Sequence, residues 1–490
     1  MSLKEDYNKI ATSDRSDYET RAEDYAKMTI PSIFVEESHG KGSDYESNYG
    51  QSLGGRLIYG FCSKMALTLV PPSSSSFKLV PDAEATQVIT EGNEEMNDEV
   101  ANQFSQSSYD INNEIEAQDI RLGALQFLMH LTVVGSCVIE KLPKDGIKVH
   151  TLKNFVVKLN KKFDATMIIL KETLTKQGLP ADIAPSEEKE EYELYTMITL
   201  SEESTKEKKQ WVVTQELEGQ PVGKEQKHDD DSVPFQYLGW FASDGDKFHR
   251  PMVEMYYDDL VAYNDLNDVL TKGAIISSKN ITFVDEKRGR TRKSTVEKAA
   301  NGDIVDGSAD DVTSFQHGKQ YDYQVAENRM AALKSDLEAD FLSNKSISRD
   351  AERVTAREIQ MMANELETTQ TGMYSMLSKK FSKRNVIWIM KELKIKFEAV
   401  DVKVIAGLDA LGKSFEAQKF DEYISRMTNL QMLHVLKPKE ISRRYAEYYG
   451  INTNNLVKSQ AEIDAEKQAQ EEAMAKEKMM DAGAANMTKQ

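Results

Sequence analysis

Apolar and polar positions alternate with two different periods along this chain, and the changes of period divide it. Residues 3–28 read as a charged helix that ends before Pro31, and residues 32–51, rich in Gly, Ser and Tyr, read as a loop. Leu53, Leu57, Phe61, Met65 and Leu69 recur at every fourth position, which puts one apolar stripe on a helix over 51–70. Pro71-Pro72 and a run of four serines stop it. Residues 83–103 read as an acidic, exposed helix. Residues 108–134 read as another, carrying Ile111, Ile115, Ile120, Leu125, Leu128 and Leu131.

From Cys137 to Phe241 the period shortens to two. Tyr192, Leu194, Thr196, Ile198 and Leu200 alternate with polar residues, and Trp211-Val212-Val213 continues the pattern. A β-rich domain is therefore expected between helical parts, interrupted by a polar, proline-containing stretch at 172–189.

The helical period returns over 251–279, where Met252, Tyr256, Leu260, Tyr263, Leu266 and Leu270 form one stripe. Asp258, Asp265 and Lys272 fall on another face. Short strands and turns are expected over 281–323, with the basic run Lys287-Arg288-Gly289-Arg290-Thr291-Arg292-Lys293. A second helix is predicted over 325–342, with Met330, Leu333, Leu337 and Phe341 inward, and then a polar loop carrying Lys345, Arg349 and Arg353. Thr355-Ala356-Arg357-Glu358 has the capping-box spelling. It would open a long helix, 356–398, with Ile359, Met362, Leu366, Met373, Leu377 and Phe381 inward. Val400–Ala406 reads as a strand, and 414–434, 439–449 and 455–482 as helices before a frayed tail. There is no internal repeat. The fold class is α+β. A pair of helices with wide polar faces, joined by a small basic excursion, suits subunits that stand side by side in a ring.

Composition narrows the function classes. At 490 residues the chain has room for about three domains. Its formal charge of -19 discourages wholesale adhesion to nucleic acid. That argues against a DNA-coating protein, though not against one that DNA slides past. Two cysteines, Cys62 and Cys137, make no disulfide framework and point to a reducing compartment. The seven histidines show no metal-ligand spacing, and His228-Asp229-Asp230-Asp231 reads as a solvated loop, so no metal or cofactor is expected. MSLKEDYNKI lacks the apolar core of a signal peptide, and no apolar run is long enough to span a membrane.

One motif points elsewhere. Gly407-Leu408-Asp409-Ala410-Leu411-Gly412-Lys413-Ser414 spells a Walker A loop between an expected strand and an expected helix. In a P-loop ATPase, Lys413 would meet the β- and γ-phosphates and Ser414 the magnesium ion. Against this, Asp409 would set a negative charge near the polyphosphate. The residues after Ser414 read as helix rather than as further βαβ units, and no strand ending in Asp follows. No other catalytic constellation is present, and an enzyme is not expected.

Several ordered motifs resemble the head-to-tail connector (portal) family of short-tailed bacteriophages, the podoviruses. They are Tyr18-Glu19-Thr20-Arg21-Ala22 with Thr29-Ile30-Pro31-Ser32; Ser63-Lys64-Met65; Tyr195-Thr196; Glu352-Arg353-Val354-Thr355-Ala356-Arg357-Glu358-Ile359; Glu365-Leu366-Glu367; Gly372-Met373-Tyr374-Ser375; and Gly407–Gly412. The resemblance implies a portal fold. A mixed α/β wing spans 1–250, a two-helix stem 251–279 and 325–342, and a β-containing clip 280–324. A tunnel loop follows at 343–354, then the wing's long helix and strand at 355–413, and a helical crown with the tail at 414–490. It also implies a homo-oligomeric ring, expected to be a dodecamer, at one capsid vertex of the virion, assembled in the host cytoplasm. Double-stranded DNA, terminase, major capsid and scaffolding proteins, tail adaptor proteins and internal core proteins are the expected partners, with no membrane. Lys345, Arg349 and Arg353 would face the DNA in the tunnel loop. Arg288, Arg290, Arg292 and Lys293 would meet terminase or tail proteins at the clip. The chain departs from the family pattern in its acidic C-terminal tail and in the 172–189 stretch.

Overall fold

The computed structural model describes residues 2–34, 51–72, 76–81, 94–179, 188–201, 209–278, 282–285, 287, 291–300, 302–314, 320–342, 361–366, 372–395, 402–406, 420–430, 432, 441 and 445. The expected helix over 3–28 forms as α1 (Leu3–Ile10), a π-turn (Ala11–Arg15) and α2 (Ser16–Met28). A capping box starts it. Ser2 Oγ accepts from the Glu5 amide at 3.3 Å, and the Glu5 carboxylate accepts from the Ser2 amide at 3.4 Å. Helix α3 (Leu53–Leu69) buries its whole fourfold stripe, as the spacing requires. Strand β1 (Phe77–Pro81) follows, which the sequence reading passed over.

Two helices come next, α4 (Glu94–Ala117) and α5 (Ile120–Val133). Their break was expected near 104–107 and instead falls at Asp119. That residue takes φ 49°, a left-handed conformation that Asp tolerates better than most, and its carbonyl accepts the Leu122 amide at 2.9 Å to restart the helix.

The strand-rich part comprises β2 (Ser136–Leu142), β3 (Gly146–His150), β4 (Phe155–Leu159), β5 (Ala165–Leu174), β6 (Tyr192–Leu200), β7 (Gln210–Leu217), β8 (Gln220–Asp229) and β9 (Phe235–Gly239). The polar interruption is shorter than expected, because β5 continues to Leu174 and pairs there with Tyr192 of β6. His228 and Asp229 are ladder residues of β8 rather than loop. Asp230 accepts from the Trp211 indole at 2.7 Å.

The helical pair follows: a 3-10 turn (Met252–Tyr256) leading into α6 (Tyr257–Ser277), and α8 (Gln320–Asp340), which starts five residues earlier than predicted. Between them lie β10 (Thr282–Val284), a short helix α7 (Lys293–Lys298) where the sequence predicts strands and turns, and β11 (Val312–Ser314). The expected continuous helix over 356–398 is interrupted. Residues 361–366 are helical, but Gly372 stands at φ 84° and a new helical run starts there. That run is α9 (Met373–Leu377), a π-turn (Ser378–Ser382) and α10 (Lys383–Glu392). Only glycine enters that left-handed region freely. Strand β12 (Val402–Ala406) forms as predicted, and residues 420–429 are helical. Thr355–Glu358 and the helices expected beyond 432 lie outside the described residues, apart from helical Ile441 and Tyr445.

The chain folds as two compact units that interleave along the sequence. The first comprises Met1–Lys64, Leu125–Glu140 and Lys148–Ser348. It holds the antiparallel five-stranded sheet β4-β5-β6-β7-β8. Helix α1 covers that sheet, with Tyr7 and Ile10 packed on Val156, Ile169 and Tyr195. Arg15 ties the helix down, donating to the Tyr7 hydroxyl at 2.6 Å and to the Lys153 carbonyl at 2.8 Å. The β8 edge of this sheet is almost wholly exposed.

The second unit comprises Met65–Ala124, Lys141–Ile147 and Arg349–Gln490. There β1 and β12 form an antiparallel two-stranded sheet. A buried polar knot fixes α10: Lys141 donates to Gln118 Oε1 at 2.6 Å and to Glu392 Oε1 at 3.1 Å. Burial raises the Glu392 carboxyl, but bonds from Gln118, Lys141 and the Lys144 amide outweigh it and hold the group below the usual carboxylate range.

Candidate functional site

Helices α6 and α8 form an antiparallel hairpin rooted in the core of the first unit. At the root, Tyr256 packs on Phe341 with ring centroids 5.1 Å apart, and Phe341 meets Phe61 at 6.3 Å. Leu260, Leu333 and Leu337 are buried alongside. Arg250 fixes the entry to α6. It grips both oxygens of Asp246 at 2.9 Å and reaches Glu254 at 3.1 Å, which raises its pKa further. At the far end the helices touch through Gly273, where a Cβ atom would stand 2.5 Å from the Tyr323 ring. The predicted division of α6 holds: Leu260 and Tyr263 are buried, and Asp258, Asp265 and Lys272 are exposed.

The hairpin is acidic. Helix α6 carries four aspartates against Lys272, and α8 carries five acidic residues against Arg329 and Lys334. Asp340 is pushed above the usual carboxylate range, first by burial and then by Asp336 and Asp259.

The excursion between the helices closes on the antiparallel pair β10–β11, Thr282 opposite Ser314 and Val284 opposite Val312. Thr291 is its buried anchor. Its hydroxyl accepts the Ser308 amide at 2.8 Å and lies 3.2 Å from Asp311 Oδ2. Arg292 and Lys293 follow, both exposed, at the start of α7. Of the predicted clip cations the structure thus places these two together. Arg288 and Arg290, and the tunnel-loop candidates Lys345, Arg349 and Arg353, lie outside the described residues.

The sequence reading missed a second feature. Among the described residues, large exposed apolar side chains concentrate on the hairpin and its excursion: Val269 and Ile276 on α6, Tyr321 and Val325 on α8, Phe283 and Ile304 between them. The seven-residue step from Val269 to Ile276, off the main stripe, was the available signal.

The Walker-like stretch Gly407–Ser414 lies outside the described residues. Strand β12 before it pairs antiparallel with β1, whereas a P-loop springs from a mostly parallel sheet of βαβ units. The nucleotide reading has no support here.

Fold and site together define an α+β protein whose helical hairpin carries a small basic, apolar-studded excursion, the layout of an assembly subunit. A family model described as bacteriophage head to tail connecting protein matches residues 2–456, and the chain belongs to that family as a portal-type connector subunit. It is similar to the portal protein of Enterobacteria phage T3, 29% identical over 481 residues, covering 94% of this chain and 88% of that one. The portal protein of Escherichia phage T7 is 28% identical, covering 91% of this chain and 86% of its own. That of Enterobacteria phage SP6 is 26% identical, covering 94% and 92%.

Proposed function

We propose that this subunit closes with identical copies into a ring, expected to be dodecameric, at one capsid vertex of the virion, and that double-stranded DNA enters and leaves through its bore. The role is mechanical rather than enzymatic. The observation that carries the ring is the set of exposed apolar residues on faces of α6 and α8 turned away from the buried stripe. A lone chain would leave them in water, whereas a neighbouring copy would cover them. Ring closure is head to tail, so each of these faces meets a different face on the next subunit.

The acidic hairpin suits a conduit. Duplex DNA carries about one charge per 1.7 Å, and a bore lined with cations would hold it fast. Like charge on the wall repels the duplex over roughly 8–10 Å at physiological salt and lets it slide. Lys345, Arg349 and Arg353 in the tunnel loop supply the few phosphate contacts. Arg288, Arg290, Arg292 and Lys293 at the clip meet terminase during packaging and tail adaptor proteins afterwards. Capsid, scaffolding and internal core proteins are the remaining partners, met during assembly in the host cytoplasm.

Negative-stain electron microscopy of the purified chain tests the reading. Wild type should form rings with a central opening, and the double variant Val269→Asp with Ile276→Asp should stay a folded monomer. Wild-type particles with no opening would sink the proposal, as would unchanged rings from the double variant.

A further inference from the structure

Three strands bring together side chains of the first unit that no stretch of sequence links: Glu140 two residues before the end of β2, His150 at the end of β3, and Glu172 near the end of β5. We propose that they bind one divalent transition-metal ion, and that Zn2+ fits the donor set.

One ligand atom from each residue lies within 4.8 Å of the others. His150 Nε2 donates to Glu140 Oε2 at 2.8 Å, and the imidazole is only 2% exposed. Ligands about 2.1 Å from a tetrahedral ion stand roughly 3.4 Å apart, so small side-chain rotations complete the geometry. The carboxylates are also largely buried, at 19% and 14% exposure. Yet among the described residues Glu140 bonds only to His150, and Glu172 only to Lys148. Each carboxylate therefore keeps an oxygen without a partner among the described residues, in a place where burial makes unused acceptors costly. Among the described residues, one ammonium, that of Lys148 on Glu172, is paired with the two carboxylates, which leaves negative charge to offset.

Lys148 is the competitor for this site. Its side chain is 42% exposed, so it can swing into water and release Glu172 to an ion. On binding, the Nε2 proton leaves to solvent as Nδ1 takes one up, so the neutral imidazole ligates through Nε2 in its other tautomer. An imidazole ligand favours Zn2+ over Mg2+ or Ca2+. Three protein ligands leave a coordination position for water, and the partial exposure of both glutamates gives a path in. A bound ion would tie β3, which belongs to a three-stranded sheet of order β3-β2-β9, to β5 of the five-stranded sheet.

The full-length, tag-free chain is stripped with chelator, loaded with ZnCl2 and gel-filtered, and its metal content and melting temperature are read. Wild type should hold one zinc per chain and melt several degrees higher with it. His150→Ala should lose at least tenfold in affinity, while His228→Ala, a surface histidine control, should change nothing. Lys148→Met should bind several-fold more tightly, because the competing ammonium is gone; this arm stands even where His150→Ala fails to fold. Wild type without stoichiometric zinc would refute the site. So would a Lys148→Met variant that binds no better than wild type, which is the outcome if these groups are ion pairs alone.

Discussion

His130 is the residue whose chemistry the fold alters most simply. It sits on α5 with Nδ1 buried and, among the described residues, without a hydrogen-bond partner. Burial disfavours the imidazolium and lowers the pKa from 6.5 to about 4. In the unfolded chain the same histidine takes its proton near 6.5. Between those values the unfolded state holds more protons, so stability is full above about 6.5 and drains as pH falls towards 4. The loss should approach ~3 kcal/mol at about 1.4 kcal/mol per pH unit. Denaturant melts from pH 7.5 to 4 should show this slope, and His130→Asn should flatten it; an unchanged slope would assign the acid sensitivity to other groups.

At the scale of elements, the α6–α8 hairpin depends on a close approach. Gly273→Ala would push a methyl group into the Tyr323 ring, which must move or force the helices apart. Overpacking of this kind costs about 1–3 kcal/mol. Thermal denaturation should show that loss, and adding Tyr323→Ala should recover part of it. Both helices were legible in the sequence because their buried stripes are regular. Three other features were not. The break at Asp119 carries neither Gly nor Pro, and its left-handed turn depends on the helices it joins. Gly372 was visible, but a glycine within a helical pattern is often tolerated, so the new start there needed the observed φ. Strand β1 is five residues long, and its partner β12 lies more than three hundred positions later, a pairing that local periodicity cannot encode. For the site, the basic run falls between the two helices, and Arg292 and Lys293 of it are placed at the start of α7. The exposed apolar residues were overlooked because a scattered Val or Ile in a polar stretch reads as noise until its direction is known.

For the whole molecule the decisive quantity is charge at the bore. If the acidic hairpins line it, wild-type rings should retain duplex DNA weakly at physiological salt. Asp258→Lys with Asp265→Lys should convert the wall into a binder, with affinity falling more steeply as salt rises. Filter retention of labelled duplex across a salt series measures this, and tight wild-type retention would contradict a sliding wall. The five-stranded sheet adds a different consequence. Strand β8 ends that sheet with its backbone open to water, and it carries Pro221, Lys224 and Lys227. Pro221 has no amide to offer, and repeated ammonium groups repel a second such strand. At high concentration these features keep the chains from zipping edge to edge into fibrils. Association would then be left to the helical faces proposed above, whose geometry can come full circle and stop.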